Sequence, residues 1–362
     1  MCASTRPGSG PAAPTCPRSR RSSRASRSRL ADHPVSATDP ASAEDRVPRL
    51  EQTANRDLRY PPLPEPLIVS VYDNHTHLDP STGSIRQIAD GDEGLSVAEQ
   101  LDRASSVGIR GVIQVGGDLA TSRWAAAAAA AEPRMLAAVA IHPNEAPAYE
   151  AAGTLDDALA EISALAARPR VVAVGETGLD FFRTGLEGRA AQHRSFEAHI
   201  EIAKQHGLAL QIHDRDAHAE VIETLLRVGA PERTVFHCFS GDAEMARICA
   251  DNGWYLSFSG TVTFKNADNL RDALAAIPSR LILVETDAPF LTPVPFRGRP
   301  NAPYLLPHTL RAMADHLETD AAMLAAQISS NTELVYGRWD AEPVKPPHAP
   351  SATETTPGGG IA

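Results

Sequence analysis

Leu67-Ile-Val-Ser-Val-Tyr72 runs directly into Asp73-Asn-His75-Thr-His77. A short apolar, β-branched run of this kind reads as a strand, and the residues just past its end separate two α/β folds. An open doubly wound sheet usually carries a glycine-rich phosphate loop after its first strand. Here that position holds imidazoles and a carboxylate instead.

Working outward, the same unit recurs. Further strands read at Gly111–Val115, Leu136–Ile141, Val171–Val174, Ala209–Ile212, Thr234–Phe236, Trp254–Phe258 and Leu281–Val284. Helical stretches fall at about 96–107, 118–131, 154–167, 188–206, 216–229, 242–252, 267–276 and 303–316, with a last one near 320–334; Leu101 and Ala104, then Phe196, Ile200 and Ala203, recur at helical spacing. Eight strands alternating with helices over about 280 residues predict an α/β fold, a TIM (β/α)8 barrel.

The barrel domain is expected over 63–340. Residues 1–62 are rich in Ser, Pro, Ala and Arg, with seven arginines and no acid in the first thirty positions. A segment of that kind buries too little to offset its ordering entropy, so a disordered N-terminal tail is expected, and a second, Pro-, Gly- and Thr-rich one at 341–362. Arg20-Arg21 is not followed by an apolar segment and makes no twin-arginine signal.

The net charge of −11 excludes a general basic coat, so a nucleic-acid substrate needs metal ions or a few placed cations. The cysteines, Cys2, Cys16, Cys238 and Cys249, have no CxxC spacing and suggest neither a disulfide scaffold nor a thiolate zinc site; a reducing, cytoplasmic setting fits. No apolar run is long enough to span a membrane, and no obligate protein partner is evident.

The polar residues fall in a pattern. His75 and His77 close the first expected strand; His142 comes after the third, Glu176 the fourth, His213 the fifth, His237 the sixth and Asp287 the eighth. That rim is where barrels of this type assemble active sites. His75 and His77, two apart on a strand, aim the same way. Each residue has a plain structural alternative: a lone histidine is commonly a hydrogen-bonded core residue, and Asp287 could cap a helix. Seven at equivalent positions argue for a metal centre. Imidazole with carboxylate suits Zn, Mn, Ni, Co or Fe, and Mg less ideally. Glu176 is the central carboxylate available to bridge two cations. Such a centre activates water against phosphorus or carbonyl carbon.

The sequence resembles the TatD-type metal-dependent deoxyribonucleases of the amidohydrolase-like barrel superfamily, over about residues 71–337. The matching stretches are Asp73-Asn-His75-Thr-His77-Leu, Ile141-His-Pro, Val174-Gly-Glu176-Thr-Gly-Leu-Asp180-Phe, Gln211-Ile-His213-Asp-Arg215, Phe236-His237-Cys-Phe-Ser-Gly241, Ser259-Gly-Thr-Val-Thr-Phe264-Lys265-Asn, Glu285-Thr-Asp287-Ala-Pro-Phe-Leu-Thr-Pro and Arg297-Gly-Arg299-Pro-Asn301. The resemblance implies two divalent ions per subunit, one on His75, His77, Glu176 and Asp287 and the other on Glu176, His213 and His237. It also implies a catalytic Asp287 that orients the water or takes its proton, and magnesium-dependent 3′-5′ trimming of single-stranded DNA. His142 is expected to contact substrate phosphate or support the centre. The family often carries another histidine two positions on, where this chain has Asn144.

Arg215 and Arg297 are the expected substrate-phosphate contacts, with Lys265 and Arg299 weaker candidates that could equally serve solubility. Phe181 and Phe182 could stack a base or anchor their loop. The alternative function is an amidohydrolase-like attack on a small ester, lactone, amide or aminoacyl-RNA bond by the same centre.

Overall fold

The structure is a computed structural model that describes residues 57–80 and 94–339. Of the tails expected at 1–62 and 341–362, residues 1–56 and all of the second lie outside the described residues.

Eight parallel strands are hydrogen-bonded in sequence order: β1 (Val71–Thr76), β2 (Ile109–Val115), β3 (Met135–Val139), β4 (Val171–Asp180), β5 (Ala209–Arg215), β6 (Thr234–Phe236), β7 (Tyr255–Phe258) and β8 (Ile282–Val284). A parallel bridge between Thr76 and Ala288 brings the end of the ring back to β1, with His77 N–H donating to Ala288 O and Asp287 N–H to His75 O. The helices between them are α1 (Val97–Ser106), α2 (Leu119–Ala131), α3 (Ala146–Ala151), α4 (Leu155–Ala166), α5 (Leu186–His206), α6 (His218–Val228), α7 (Ala243–Asp251), α8 (Asp268–Ala276), α9 (Leu306–His316) and α10 (Ala321–Tyr336). The expected (β/α)8 barrel is therefore the observed one.

Two apolar layers hold it. Strand residues such as Val112, Val139, Val174, Leu210 and Val284 pack outward against helix residues such as Leu101, Ile162, Phe196 and Leu310. A second cluster joins Tyr72, Ile113, Val115, Ala138, Ala173, Ala209, Val235 and Leu283 from alternate strand positions, as a filled barrel requires. Tyr336 and Trp339 at the end of α10 belong to it. Trp339 stacks on Tyr72 with ring centroids 4.1 Å apart. Asn331 donates to Ile282 O and Ser329 to Ser70 O, so α10 docks at the amino ends of β8 and β1 and leaves the carboxyl rim free.

The structure corrects three boundaries. β1 is Val71–Thr76, not 67–72, so His75 lies inside the strand. Its polar run pairs with β2 and is tied to the β8 side of the ring, Asn74 donating to Val284 O and Asp73 accepting from Thr286. β4 extends to Asp180, placing Glu176 within the strand. Residues 57–62 were expected to be tail, yet they rest on the barrel: Arg299 donates to Arg59 O and Tyr60 O, and the Tyr304 hydroxyl to Pro61 O. Among the described residues no helix is long and apolar enough to cross a membrane.

Candidate metal centre

β1 delivers His75 and His77 to the carboxyl rim on one face, the β8 exit delivers Asp287, β4 delivers Glu176, β5 His213 and the β6 exit His237. Gly178 shows how closely β4 and β5 meet there. Its φ is +137°, and a Cβ would lie 2.1 Å from His213 O, so only glycine fits between Glu176 and His213.

The Glu176 carboxylate sits at the centre with its two oxygens facing different donors. Oε2 is 3.5 Å from His75 Nε2 and 3.6 Å from His77 Nε2. Asp287 Oδ1 completes that side, 3.9 Å from His75 Nε2 and 3.5 Å from His77 Nε2, while the two imidazole nitrogens are 3.2 Å apart. Oε1 lies 2.5 Å from His213 Nδ1, 2.8 Å from His237 Nε2 and 3.3 Å from His142 Nε2.

The donor set fits a divalent cation on the first side. His75, His77 and Glu176 lie within reach of one ion, and five of the six spacings among these and Asp287, 3.2–3.9 Å, bracket the edge, about 3.4 Å, of a tetrahedron with bonds near 2.1 Å. The imidazoles are also oriented for ligation. His77 Nδ1 is 3.0 Å from Val115 O and donates to it, leaving Nε2 to present a lone pair. His237 Nδ1 likewise donates to Glu285 Oε1 at 3.2 Å, turning Nε2 toward Glu176.

His142 differs. Its Nδ1 accepts the Asn144 backbone N–H at 3.0 Å, so in the neutral ring the proton sits on Nε2. His142 therefore presents a donor to the cleft, not a lone pair, although its ring nitrogen groups with Glu176 and His213. Burial chiefly keeps it neutral by lowering its pKa.

The electrostatics attract positive charge. Burial alone raises the Glu176 carboxyl, but the facing His237 and His142 hold it well below the usual carboxylate range. Burial works against a charged His237, yet Glu176 and Glu285 raise it well above an ordinary histidine. His75, buried and facing His237, falls to about 3. The carboxylates thus favour a proton on His237, and a cation meets the same field.

Three acids that the sequence reading did not single out hold this set in place. Asp180 Oδ2 is 3.2 Å from His213 Nε2 and accepts from Asn144 Nδ2 at 2.9 Å. Glu285 accepts from His237 and, at 2.7 Å, from Cys238 N–H. Asp73 accepts from Thr286 and from His75 N–H, tying β1 to the β8 exit; burial raises its carboxyl to about 8. A signal existed for one of them: Asp73 lies two residues before His75 within β1, on the same strand face.

A cleft of about 470 Å³ opens over the cluster, lined by His77, His142, Glu176, His213, His237 and Asp287 together with Arg183, Arg215, Thr261 and Phe290. Arg215, the expected phosphate contact, lines this cleft. Arg297 is not among the lining residues; it is exposed and lies over the Phe264 ring at 4.2 Å. Lys265 is exposed, and Arg299 is spent on Arg59 and Tyr60. Ser240 donates to Asp214 O, and Asp242 caps α7.

Comparison with known proteins gives one consistent result. The family described as TatD related DNase matches residues 72–337. The chain is 45% identical over 269 residues to an uncharacterized metal-dependent hydrolase TatD of Mycobacterium tuberculosis, covering 73% of this chain and 97% of that one. It is 35% identical over 242 residues to a protein of Escherichia fergusonii named 3′-5′ ssDNA/RNA exonuclease TatD, covering 65% and 90%. Among solved structures, the TatD homologue YjjV of Escherichia coli superposes with a TM-score of 0.64 at 26% identity, over 75% of this chain and all of that one.

Proposed function

This chain is a member of the TatD related DNase family, and from that premise we propose that it hydrolyses phosphodiester bonds in single-stranded DNA, from the 3′ end, at a dinuclear metal centre. The catalytic unit is the barrel domain together with residues 57–62 that rest on it. The observation that carries the reading is the division of the Glu176 carboxylate, Oε2 toward His75 and His77 and Oε1 toward His213 and His237. One carboxylate facing two donor sets suits a bridge. His75, His77, Glu176 and Asp287 would hold one ion, and Glu176, His213 and His237 the other. Magnesium is the expected ion; Zn, Mn, Ni, Co or Fe also suit these donors.

Bound divalent cations supply Lewis acidity and a water acidic enough to serve as nucleophile near neutral pH. The residues do the rest. Asp287 lines the cleft beside His77 and is placed to orient the water and accept its proton. His142 donates from Nε2 to a phosphate oxygen as charge develops on it. Arg215, with Arg183, neutralises phosphate along the strand. A cytoplasmic setting suits the free thiols of Cys238 and Cys249.

The test is the purified full chain with Mg or Mn on end-labelled single-stranded and duplex DNA, beside a panel of small esters and lactones. Shortening of the single strand, lost by about 10³-fold or more in Asp287→Ala, is the expected result. DNA left intact with every metal while a small ester is cleaved contradicts it.

A further inference from the structure

Two aromatic rings stand half in water, Phe290 in the lining of the cleft and Phe182 beside its lining residue Arg215. Phe182, just after β4, is 61% exposed, and Phe290, after β8, is 43% exposed. Because the strands run in ring order from β1 to β8, the exits of β4 and β8 lie on opposite sides of the barrel axis, with the Glu176 cluster between them. Phe181 shows what a loop anchor looks like here: it packs against the core, with Arg189 over its ring at 3.8 Å. Phe182 has no such burial. Its neighbour is Arg215, whose Cζ lies 3.9 Å from its ring centroid and which also lines the cleft. Neither Arg215 nor Arg183 has a carboxylate at ion-pair distance among the described residues, in a cleft otherwise rich in acids. Phe290 lines the opposite wall, edge-on to His77 at 6.1 Å.

The geometry points to Phe182 and Phe290 as two stacking platforms for unpaired nucleobases, one on each side of the phosphodiester being cut. Arg215, held flat by Phe182, extends the first platform and neutralises the adjoining phosphate. The assignment rests on the nucleolytic reading and deepens it. An aromatic ring accepts any base by its π face, giving sequence-tolerant binding, and a guanidinium on a ring presents both charge and a flat surface. The rings follow strand exits on opposite sides of the barrel axis, which suits two separate bases better than a protein surface. Bases paired in a duplex cannot lie on both rings at once. The platforms therefore make an unpaired strand the substrate.

The test uses the full chain, divalent cation present, and a short phosphorothioate-linked oligothymidylate that resists hydrolysis, with affinity read by fluorescence anisotropy. A strand of equal length and charge but lacking bases serves for comparison. Phe182→Ala and Phe290→Ala are each expected to weaken binding of the oligothymidylate by about 5- to 150-fold, well beyond their effect on the baseless strand. Phe→Trp at either position retains affinity. Phe→Leu, apolar but without a π face, weakens it as alanine does. Alanine variants that bind as tightly as the parent, leucine substituting as well as tryptophan, or equal losses on both strands overturn the platforms. Ring-dependent binding without hydrolysis of ordinary DNA supports them and sinks the nucleolytic reading. DNA hydrolysis with affinities indifferent to both rings does the reverse, and no binding by the parent chain overturns both.

Discussion

Acidification is expected to destabilise the barrel through one histidine outside the metal cluster. His199, buried on α5, accepts the Ile141 backbone N–H at Nε2 (3.0 Å) and donates from Nδ1 to Ser195 O (2.7 Å). A second proton would have to sit on Nε2, facing another donor. Burial, only partly opposed by the Ser195 carbonyl, lowers its pKa from 6.5 to about 4. The unfolded chain therefore takes up this proton first. Stability is unaffected above the unfolded value and falls as pH drops below it, at up to about 1.4 kcal/mol per pH unit, until the folded value near 4 is reached. Between about pH 7.5 and about pH 4.5 the loss from this residue is about 2.5 kcal/mol. Urea unfolding of the metal-free protein and of His199→Gln at both pH values isolates it. The variant is less stable near neutrality, having lost a buried hydrogen-bond geometry, and the gap should narrow by about 2.5 kcal/mol on acidification. A gap unchanged with pH would refute the reasoning. Because His199 anchors the residue before His142, the variant should also lose activity at neutral pH.

The site itself yields three more expectations. Glu285→Gln keeps the shape but removes the charge behind His237, and should weaken metal binding about 10- to 100-fold; chelator competition reads this, and unchanged affinity would count against it. His142→Ala should lower kcat by about 10²–10³-fold with metal content unaltered, since His142 presents an N–H; loss of bound metal would make it a ligand instead. Gly178→Ala forces a methyl against His213 O at a positive φ and should cost more than about 2 kcal/mol in urea unfolding; a neutral effect would show that β4 and β5 can part there.

Much of this was legible because barrel strands are short apolar runs with punctuated ends, and each active-site candidate sits at such an end. All eight strands and their order emerge from that pattern. The boundaries at β1 and β4 did not, because Asp73-Asn-His75-Thr76 and Gly175-Glu176-Thr177 carry no apolar periodicity; the first is held by Val284 O and Thr286 of the adjoining β8 side and the second by pairing with β5. The helix Ala146–Ala151 escaped notice for its brevity. At the site, His75, His77, His142, Glu176, His213, His237 and Asp287, read from the strand ends, lie together around the Glu176 carboxylate and His77. Arg297 was placed at the site by sequence proximity to a rim loop, but its guanidinium rests on Phe264. Asp180 and Glu285 went unassigned because their role lies in which imidazole they face, a tertiary fact. The same holds for the contrast between Phe181 and Phe182: adjacent residues of one type, one packed inward and one left in water.

The bridging carboxylate is tested most directly by counting ions. Equilibrium dialysis of the full chain against Mn or Zn, with elemental analysis of the dialysed protein, should find two per chain in the parent and no more than one in Glu176→Gln, which keeps the side chain's shape but cannot share a negative charge between two cations. One ion in the parent chain, or two in both proteins, would contradict it.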